Sequence, residues 1–256
     1  MTIRLVTFDA LHTLLTPRSP IYAQYSDTFA PYIGVLNPHS LKLSFKAALK
    51  HVQSTNPVYQ GDDGVRGWWT DVIRRTAVGA GADAQAVEDS LPHIVPRLLS
   101  RFSSKEGYKL FDDSLPVLRE LHRMNIRTAL VSNTDCRMRS VLEDLEVLPY
   151  LNPVLLSEET GVEKPAAEIF LRACKTEAVN VIDSVHVGDE LDCDYHGARA
   201  ANMHALLIRR PGPDGEGERK EEGENLDGVT VIDGLWGAIE WIKRKNADRT
   251  KISTTG

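Results

Sequence analysis

Cysteine, an excess of basic charge and long apolar runs are all scarce in this chain, and each scarcity removes a class of function. The three cysteines among 256 residues are Cys136, Cys174 and Cys193. Their number is odd and their spacing does not match a metal site, which suits a reducing, intracellular compartment. Each thiol is expected to act as a small buried hydrophobe. Lysine and arginine total 30 against 36 acidic residues, a net charge of −6. That balance gives no reason to expect nucleic acid or an acidic membrane, and neither is expected as a partner. No stretch has the apolar length needed to span a bilayer. The opening Met1-Thr2-Ile3-Arg4 runs straight into an apolar segment, leaving no room for the basic and apolar regions of a signal peptide. The expected location is cytoplasmic or nuclear.

What is present is an ordinary globular composition, 42% hydrophobic and 26% charged, with no internal repeat. The chain is organised around residues 3 to 14. Apolar residues dominate Ile3 to Phe8, as in a strand buried on both faces of a parallel sheet, and the run stops on Asp9. An acid after a strand is commonly a turn or helix-cap residue. It also stands where parallel sheets build their sites, at a strand's carboxyl end.

Beyond Pro17 and Pro20 the pattern changes to helix, from Ile21 to Phe102, with breaks at 34–38, 56–64 and 79–83. Ser40 is expected to cap a helix carrying Leu41, Leu43, Phe45, Ala48, Leu49 and Val52, and Asp83 to cap another. Pro92 and Pro96 are expected to kink or split that second helix. Trp68 and Trp69, adjacent on one helix, must point in different directions, so at least one belongs to the core.

From Tyr108 helix and strand alternate. Strands are predicted at Arg127–Ser132, Val154–Ser157, Ser184–Val187, His204–Ile208 and Thr230–Ile232. Helices are predicted at Leu115–Met124, Arg137–Leu145, Ala166–Lys175, Tyr195–Asn202 and Leu235–Lys243, with Trp236 and Trp241 as core residues. Residues 211–228 are expected to form a solvated acidic loop, and 246–256 a frayed tail. The fold class is therefore α/β, a Rossmann-like doubly wound parallel sheet interrupted by an all-helical insertion. The expected division is 1–16 plus 106–245 for the core and 17–105 for the helical insertion.

Four strand ends carry polar groups: Asp9; Ser132-Asn133; Glu163-Lys164-Pro165; and Gly188-Asp189 with Asp194. Carboxylates are hard oxygen ligands suited to Mg²⁺. Lysine and a serine hydroxyl can hold a phosphoryl group, and an Asp carboxylate can accept one as nucleophile.

Phe8-Asp9-Ala10-Leu11-His12-Thr13-Leu14, Val131-Ser132-Asn133, Glu163-Lys164-Pro165 and His186-Val187-Gly188-Asp189 to Asp194 resemble the four ordered motifs of the haloacid dehalogenase superfamily of hydrolases. The helical insertion after the first motif resembles that superfamily's C1-type cap. The resemblance covers residues 3 to about 210. It implies a small phosphorylated substrate and Asp9 as the nucleophile. Ser132 and the Asn133 backbone would hold the phosphoryl oxygens, and Lys164 would offset charge between Asp9 and substrate. It also implies Mg²⁺ held by Asp9, the backbone carbonyl of Leu11, Asp189 and Asp194.

The resemblance fails at two neighbouring positions, Leu11 and His12. Phosphatases of the superfamily carry a second Asp two residues after the nucleophile, as acid for the leaving group and base for water; here it is Leu11. Loss of such a group commonly costs on the order of 10² to 10⁴ in rate. His12, where the superfamily usually has glycine, is either a displaced acid/base or a residue filling the turn. Three functions stay open: a slowed phosphate monoester hydrolase, a non-catalytic metal- or phosphate-binding protein, and a metal-independent 2-haloacid dehalogenase.

Overall fold

A computed structural model describes residues 2–60, 63–211 and 223–253. In chain order its elements begin with β1 (Leu5–Phe8), β2 (Leu15–Pro17), α1 (Ile21–Ile33), α2 (Pro38–Thr55), α3 (Gly64–Gly79), α4 (Ala84–Arg101) and β3 (Tyr108–Leu110). Next come α5 (Ser114–Arg123), β4 (Arg127–Ser132), α6 (Arg137–Asp144), β5 (Val154–Leu156), α7 (Ser157–Thr160) and α8 (Ala167–Thr176). The last are β6 (Ser184–Gly188), a π-helical segment at Leu191–His196, α9 (Gly197–Ala200), β7 (His204–Ile208), β8 (Val231–Ile232) and α10 (Leu235–Ser253). No described helix is long and apolar enough to cross a membrane.

The chain divides into two compact units: Met1–Thr16, Leu110–Thr134 and Glu146–Gly256 form one; Pro17–Lys109 and Asp135–Leu145 form the other. The first is the α/β unit. Its sheet is parallel, ordered β5-β4-β1-β6-β7-β8. β1 is buried along its whole length, and Phe8 faces Leu130 on one side and Val187 on the other. Because the chain goes from β1 to β4 on one side and later to β6 on the other, Asp9 emerges where the winding reverses, the place such sheets hold ligands. One side of the sheet is covered by a core that includes Leu5, Val131, Ile169, Phe170, Tyr195 and Leu207.

The second unit is helical, apart from its strand segments. α2 and α3 bury Ala48, Val52, Trp68 and Val72 together. Trp68 is the core member of the tryptophan pair, its indole N–H donated to the Asn56 carbonyl at 2.9 Å. Segment 135–145 clusters with this unit, and the second crossing falls at 109/110 rather than 105/106.

Local chemistry corrects several expectations. Asn37, not Ser40, caps α2; its Oδ1 accepts from the His39 and Ser40 N–H groups at 2.9 and 3.1 Å, with Pro38 preorganised in the first turn. Asp83 does cap α4, accepting from Ala86 N–H at 2.9 Å. α4 runs as one helix through Pro92 and Pro96. Each proline forfeits one backbone hydrogen bond, and the buried face of Val87, Leu91, Ile94, Val95 and Leu98 offsets that loss. The helix expected to begin at Tyr195 opens earlier, at Leu191, in the wider π form. α10 continues through Asn246 to Ser253 where a frayed tail was expected. No proline or glycine interrupts it there, and Asn246 Oδ1 accepts the Ile3 N–H at 2.8 Å. Trp236 is 48% exposed, so only Trp241 of that pair is part-covered. Cys136 is exposed, following the polar turn it occupies, whereas Cys174 is buried. Of the expected acidic loop, 212–222 lies outside the described residues.

Phe170 is fully buried against β6, its ring edge-on to His186 at 5.0 Å. Phe170→Ala is expected to lower unfolding free energy by about 3–5 kcal/mol, read by urea denaturation.

Candidate active site

Asp9 leaves β1 with its N–H donated to the Val187 carbonyl at 2.9 Å, which fixes the first residue beyond the strand. Its carboxylate Oδ1 accepts from Lys164 Nζ at 2.6 Å. The same ammonium donates to Asp194 Oδ1, also at 2.6 Å. All three residues are buried. Burial opposes the charge on Lys164, but the fields of Asp194 and then Asp9 outweigh it and raise its pKa. Burial likewise works against ionised Asp194; Lys164 and a hydrogen bond from His186 overcome it, and the carboxyl lies well below the usual range.

Asp194 is held from three directions. Its Oδ1 also meets His186 Nε2 at 3.0 Å, and its Oδ2 accepts the Glu190 N–H at 2.8 Å. His186 is fully buried on β6, and desolvation keeps its pKa below the ordinary value despite the Asp194 contact. A neutral ring next to an ionised carboxylate must place its proton on Nε2, so Nδ1 accepts from the Thr7 hydroxyl 2.8 Å away. Gly188 permits this packing: a Cβ there would lie 2.1 Å from Asp194 Cγ.

The loop carrying Lys164 is tied to β4 by a reciprocal pair. Lys164 N–H donates to Asn133 Oδ1 at 2.7 Å, and Asn133 Nδ2 donates to the Lys164 carbonyl at 2.9 Å. Ser132, the last residue of β4, is buried, and its hydroxyl has no hydrogen-bond partner among the described residues. Asp189 follows β6, and its carbonyl accepts from Arg209 Nη1, whose Nη2 is braced by Glu224 Oε2 at 2.8 Å.

Carboxylate oxygens of Asp9, Asp189 and Asp194 lie within 4.8 Å of one another. Three buried acids against one ammonium and a neutral histidine leave negative charge in a low-dielectric place, and their hard oxygens suit a divalent cation such as Mg²⁺. The residue set fits the metal. Asp194 already spends three of its roughly four acceptor sites on protein donors, so Asp9, whose carboxylate is held by Lys164 through Oδ1, has more to offer a cation than Asp194 does.

Of the residues singled out from sequence, Asp9, Lys164, Asp189 and Asp194 are brought into one cluster, Ser132 ends the neighbouring strand and Asn133 follows it. Leu11 and His12 lie in the turn after β1. Leu14 and Leu15 N–H groups both reach the Ala10 carbonyl at 3.0 Å, and His12 N–H reaches the Leu15 carbonyl at 2.7 Å. His12 adopts φ 56°, the left-handed region that favours glycine. Sequence reading gave no role to Thr7, His186, Arg209 or Glu224. The one available signal was a polar residue inside each of two apolar strands, and Thr7 and His186 turn out to be register partners.

The haloacid dehalogenase-like hydrolase family model matches residues 3–202. Human haloacid dehalogenase-like hydrolase domain-containing protein 3 is 33% identical over 214 residues, covering 82% of this chain and 84% of its own. Among solved structures, a 2-haloacid dehalogenase from Pseudomonas syringae pv. Tomato superimposes with a TM-score of 0.64 at 21% identity, covering 95% of this chain and 99% of that one. A HAD phosphatase from Thermococcus onnurineus gives 0.61 at 19%, with 94% and 98% covered.

The depressed Asp194 carboxyl links stability to pH. Its unfolded value is near 3.8 and its folded value is lower, so its contribution is complete above the unfolded value and is lost as pH falls through the folded one. Asp194→Asn is expected to flatten the acid limb of stability below that value. At neutral pH it should cost about 3–5 kcal/mol, the usual cost of breaking a buried pair. Denaturant titrations across the acid range check both.

Proposed function

Because the chain belongs to the haloacid dehalogenase-like hydrolase family, we propose that it hydrolyses small phosphate monoesters through Asp9 with Mg²⁺, at a rate limited by Leu11. The observation that carries this reading is the shared ammonium of Lys164, 2.6 Å from both Asp9 and Asp194, beside a further carboxylate at Asp189.

In the first step Asp9 Oδ2, the oxygen not held by Lys164, attacks phosphorus. A P–O bond forms to Asp9 as the P–O bond to the alcohol breaks, and the departing alkoxide needs a proton. In the second step water attacks the aspartyl-phosphate, loses a proton, and breaks the P–O bond to Asp9, releasing inorganic phosphate. Lys164 holds Asp9 in line and offsets charge on the phosphoryl oxygens. The Ser132 hydroxyl and Asn133 N–H receive those oxygens; the Asn133 side chain is committed to the Lys164 backbone. When bound, Mg²⁺ would be held by Asp9, Asp189 and the Leu11 carbonyl, with Asp194 beside them, and supplies positive charge that lowers the cost of bringing a phosphate dianion to a carboxylate.

Neither proton has a carrier at position 11, where the side chain is a hydrocarbon. Leu11→Asp is therefore expected to raise turnover of phosphate esters by on the order of 10² to 10⁴, with Mg²⁺ required and Asp9→Asn inactive in either background. His12 serves the turn through its left-handed backbone, and His12→Ala is expected to retain the wild-type rate. Turnover unchanged in Leu11→Asp, with Mg²⁺ still bound in calorimetry, favours the non-catalytic binding protein. Halide release from a 2-haloacid without metal favours the dehalogenase.

A further inference from the structure

The peptide unit joining Asp189 to Glu190 is gripped from both sides by charged side chains. Its carbonyl accepts from Arg209 Nη1, and its N–H donates to Asp194 Oδ2 at 2.8 Å. A cation at the oxygen and an anion at the nitrogen both act along the peptide dipole, so each contact strengthens the other. That unit lies between Asp189 and Asp194, two of the three clustered acids. On its other side Asp189 is held by β6, which ends at Gly188. With the strand before it and the peptide after it both fixed, the stem of the Asp189 side chain has little freedom left.

Arg209 is placed to do the holding. It follows β7 directly and is 8% exposed. Its own N–H is turned to β8, donating to the Ile232 carbonyl at 2.8 Å, so the side chain and not the backbone reaches Asp189. Nη1 also donates to the Ile208 carbonyl at 3.2 Å, and Nη2 to Glu224 Oε2 at 2.8 Å. The Glu224 side chain is as withdrawn from water as its partner, and it balances the buried cation. Nε is buried with no acceptor among the described residues. An unpaired donor in an interior is costly; the guanidinium bears that cost while both Nη groups keep their contacts.

We infer that Arg209, braced by Glu224, is a positioning residue for the divalent-cation site: it sets the Asp189–Glu190 peptide and, through it, the directions of the Asp189 and Asp194 carboxylates. This rests on the reading of Asp9, Asp189 and Asp194 as ligands for Mg²⁺. Arg209 touches none of the reacting atoms in the proposed phosphoryl transfer, and its influence passes through the peptide alone. The arginine and the glutamate together carry no net charge, so removing both leaves the field at the acids nearly unaltered. Arg209 is the nearer of the two to Asp189, and what field effect remains would favour a cation once the pair is gone. A loss of Mg²⁺ affinity on removing the pair therefore reports geometry rather than charge.

The test uses the full chain with two readouts: Mg²⁺ affinity by calorimetry, and hydrogen exchange of the Glu190 amide in the metal-free chain by ¹⁵N-resolved NMR, assigned through Glu190→Gln. Arg209→Met alone would strand the buried Glu224 charge, so the pair is replaced together as Arg209→Met/Glu224→Leu, a change that folds often tolerate. The expected result is Mg²⁺ binding weakened roughly 10- to 100-fold. Exchange at Glu190 is expected to be about tenfold or more faster while the Val185 and Val187 amides of β6 keep their rates, which separates local release from general loosening. Mg²⁺ binding unchanged or tighter in the double variant makes the pair a structural tie only and overturns the inference. If the unaltered chain binds no Mg²⁺, the metal reading fails; faster exchange confined to Glu190 then still supports Arg209 as the holder of the peptide, and unchanged exchange overturns it. Should the double variant fail to fold, Glu224→Gln is read at the same amide, and an unchanged rate there overturns the inference.

Discussion

One buried ammonium organises the sheet edge. Lys164 is almost wholly withdrawn from water, and a lone charge there would be costly. It is tolerated because two carboxylates, one from the end of β1 and one from within the π-helical segment after β6, converge on it at hydrogen-bonding distance. The remaining polar contacts follow from that requirement. Asp194 needs more than one donor to stay ionised in the interior, and His186 and the Glu190 N–H supply them. His186 then needs a proton donor of its own, and Thr7 faces it across the ladder. Gly188 is small so that Asp194 can reach the cluster at all.

The succession of strands and helices along the chain and the residues at the strands' carboxyl ends were legible because both depend on short-range rules. Apolar runs of strand length alternate with helical periodicity, and chemistry-bearing side chains follow each run directly. Asp9, Lys164, Asp189 and Asp194 are legible in the sequence itself. Thr7 and His186 are not, since a polar residue in a buried strand reveals its purpose only when its cross-strand neighbour is known. Arg209 was hidden for a similar reason: its partners, Asp189 and Glu224, are distant in sequence. The errors have physical causes as well. Ser40 and Asn37 are both good cap residues, and Pro38 decided between them by fitting the first turn rather than preceding it. Pro92 and Pro96 were read as breakers, but a helix with a continuous buried face can absorb the loss.

The helical unit shows the same logic with different residues. Asp135 and Arg137 sit just past the β4 motif in sequence, yet they cluster with the helices, where Trp69 covers one and hydrogen-bonds the other. Neither is apolar, so hydrophobic periodicity gave no hint that they are interior. Asp135 is held below the usual carboxylate range: burial resists ionisation, and the hydrogen bonds and charge of Arg137 prevail. A charged pair closed on itself in this way adds polar groups to an apolar interior without adding net charge.

The pairing of Asn133 with the Lys164 backbone has the pattern of a sheet rung, one N–H given and one received, except that a side-chain amide replaces a peptide. A carboxamide is the one side-chain group that can imitate a peptide unit on both counts, and asparagine has the shorter of the two reaches. Aspartate, though equal in size, would set an oxygen against the Lys164 carbonyl and turn attraction into repulsion. Glutamine would overshoot by a methylene. The motif thus extends β4 by a virtual residue, a stretch of sheet written in side-chain atoms, and the lysine on the far strand of that stretch inherits the rigidity of the sheet without belonging to it.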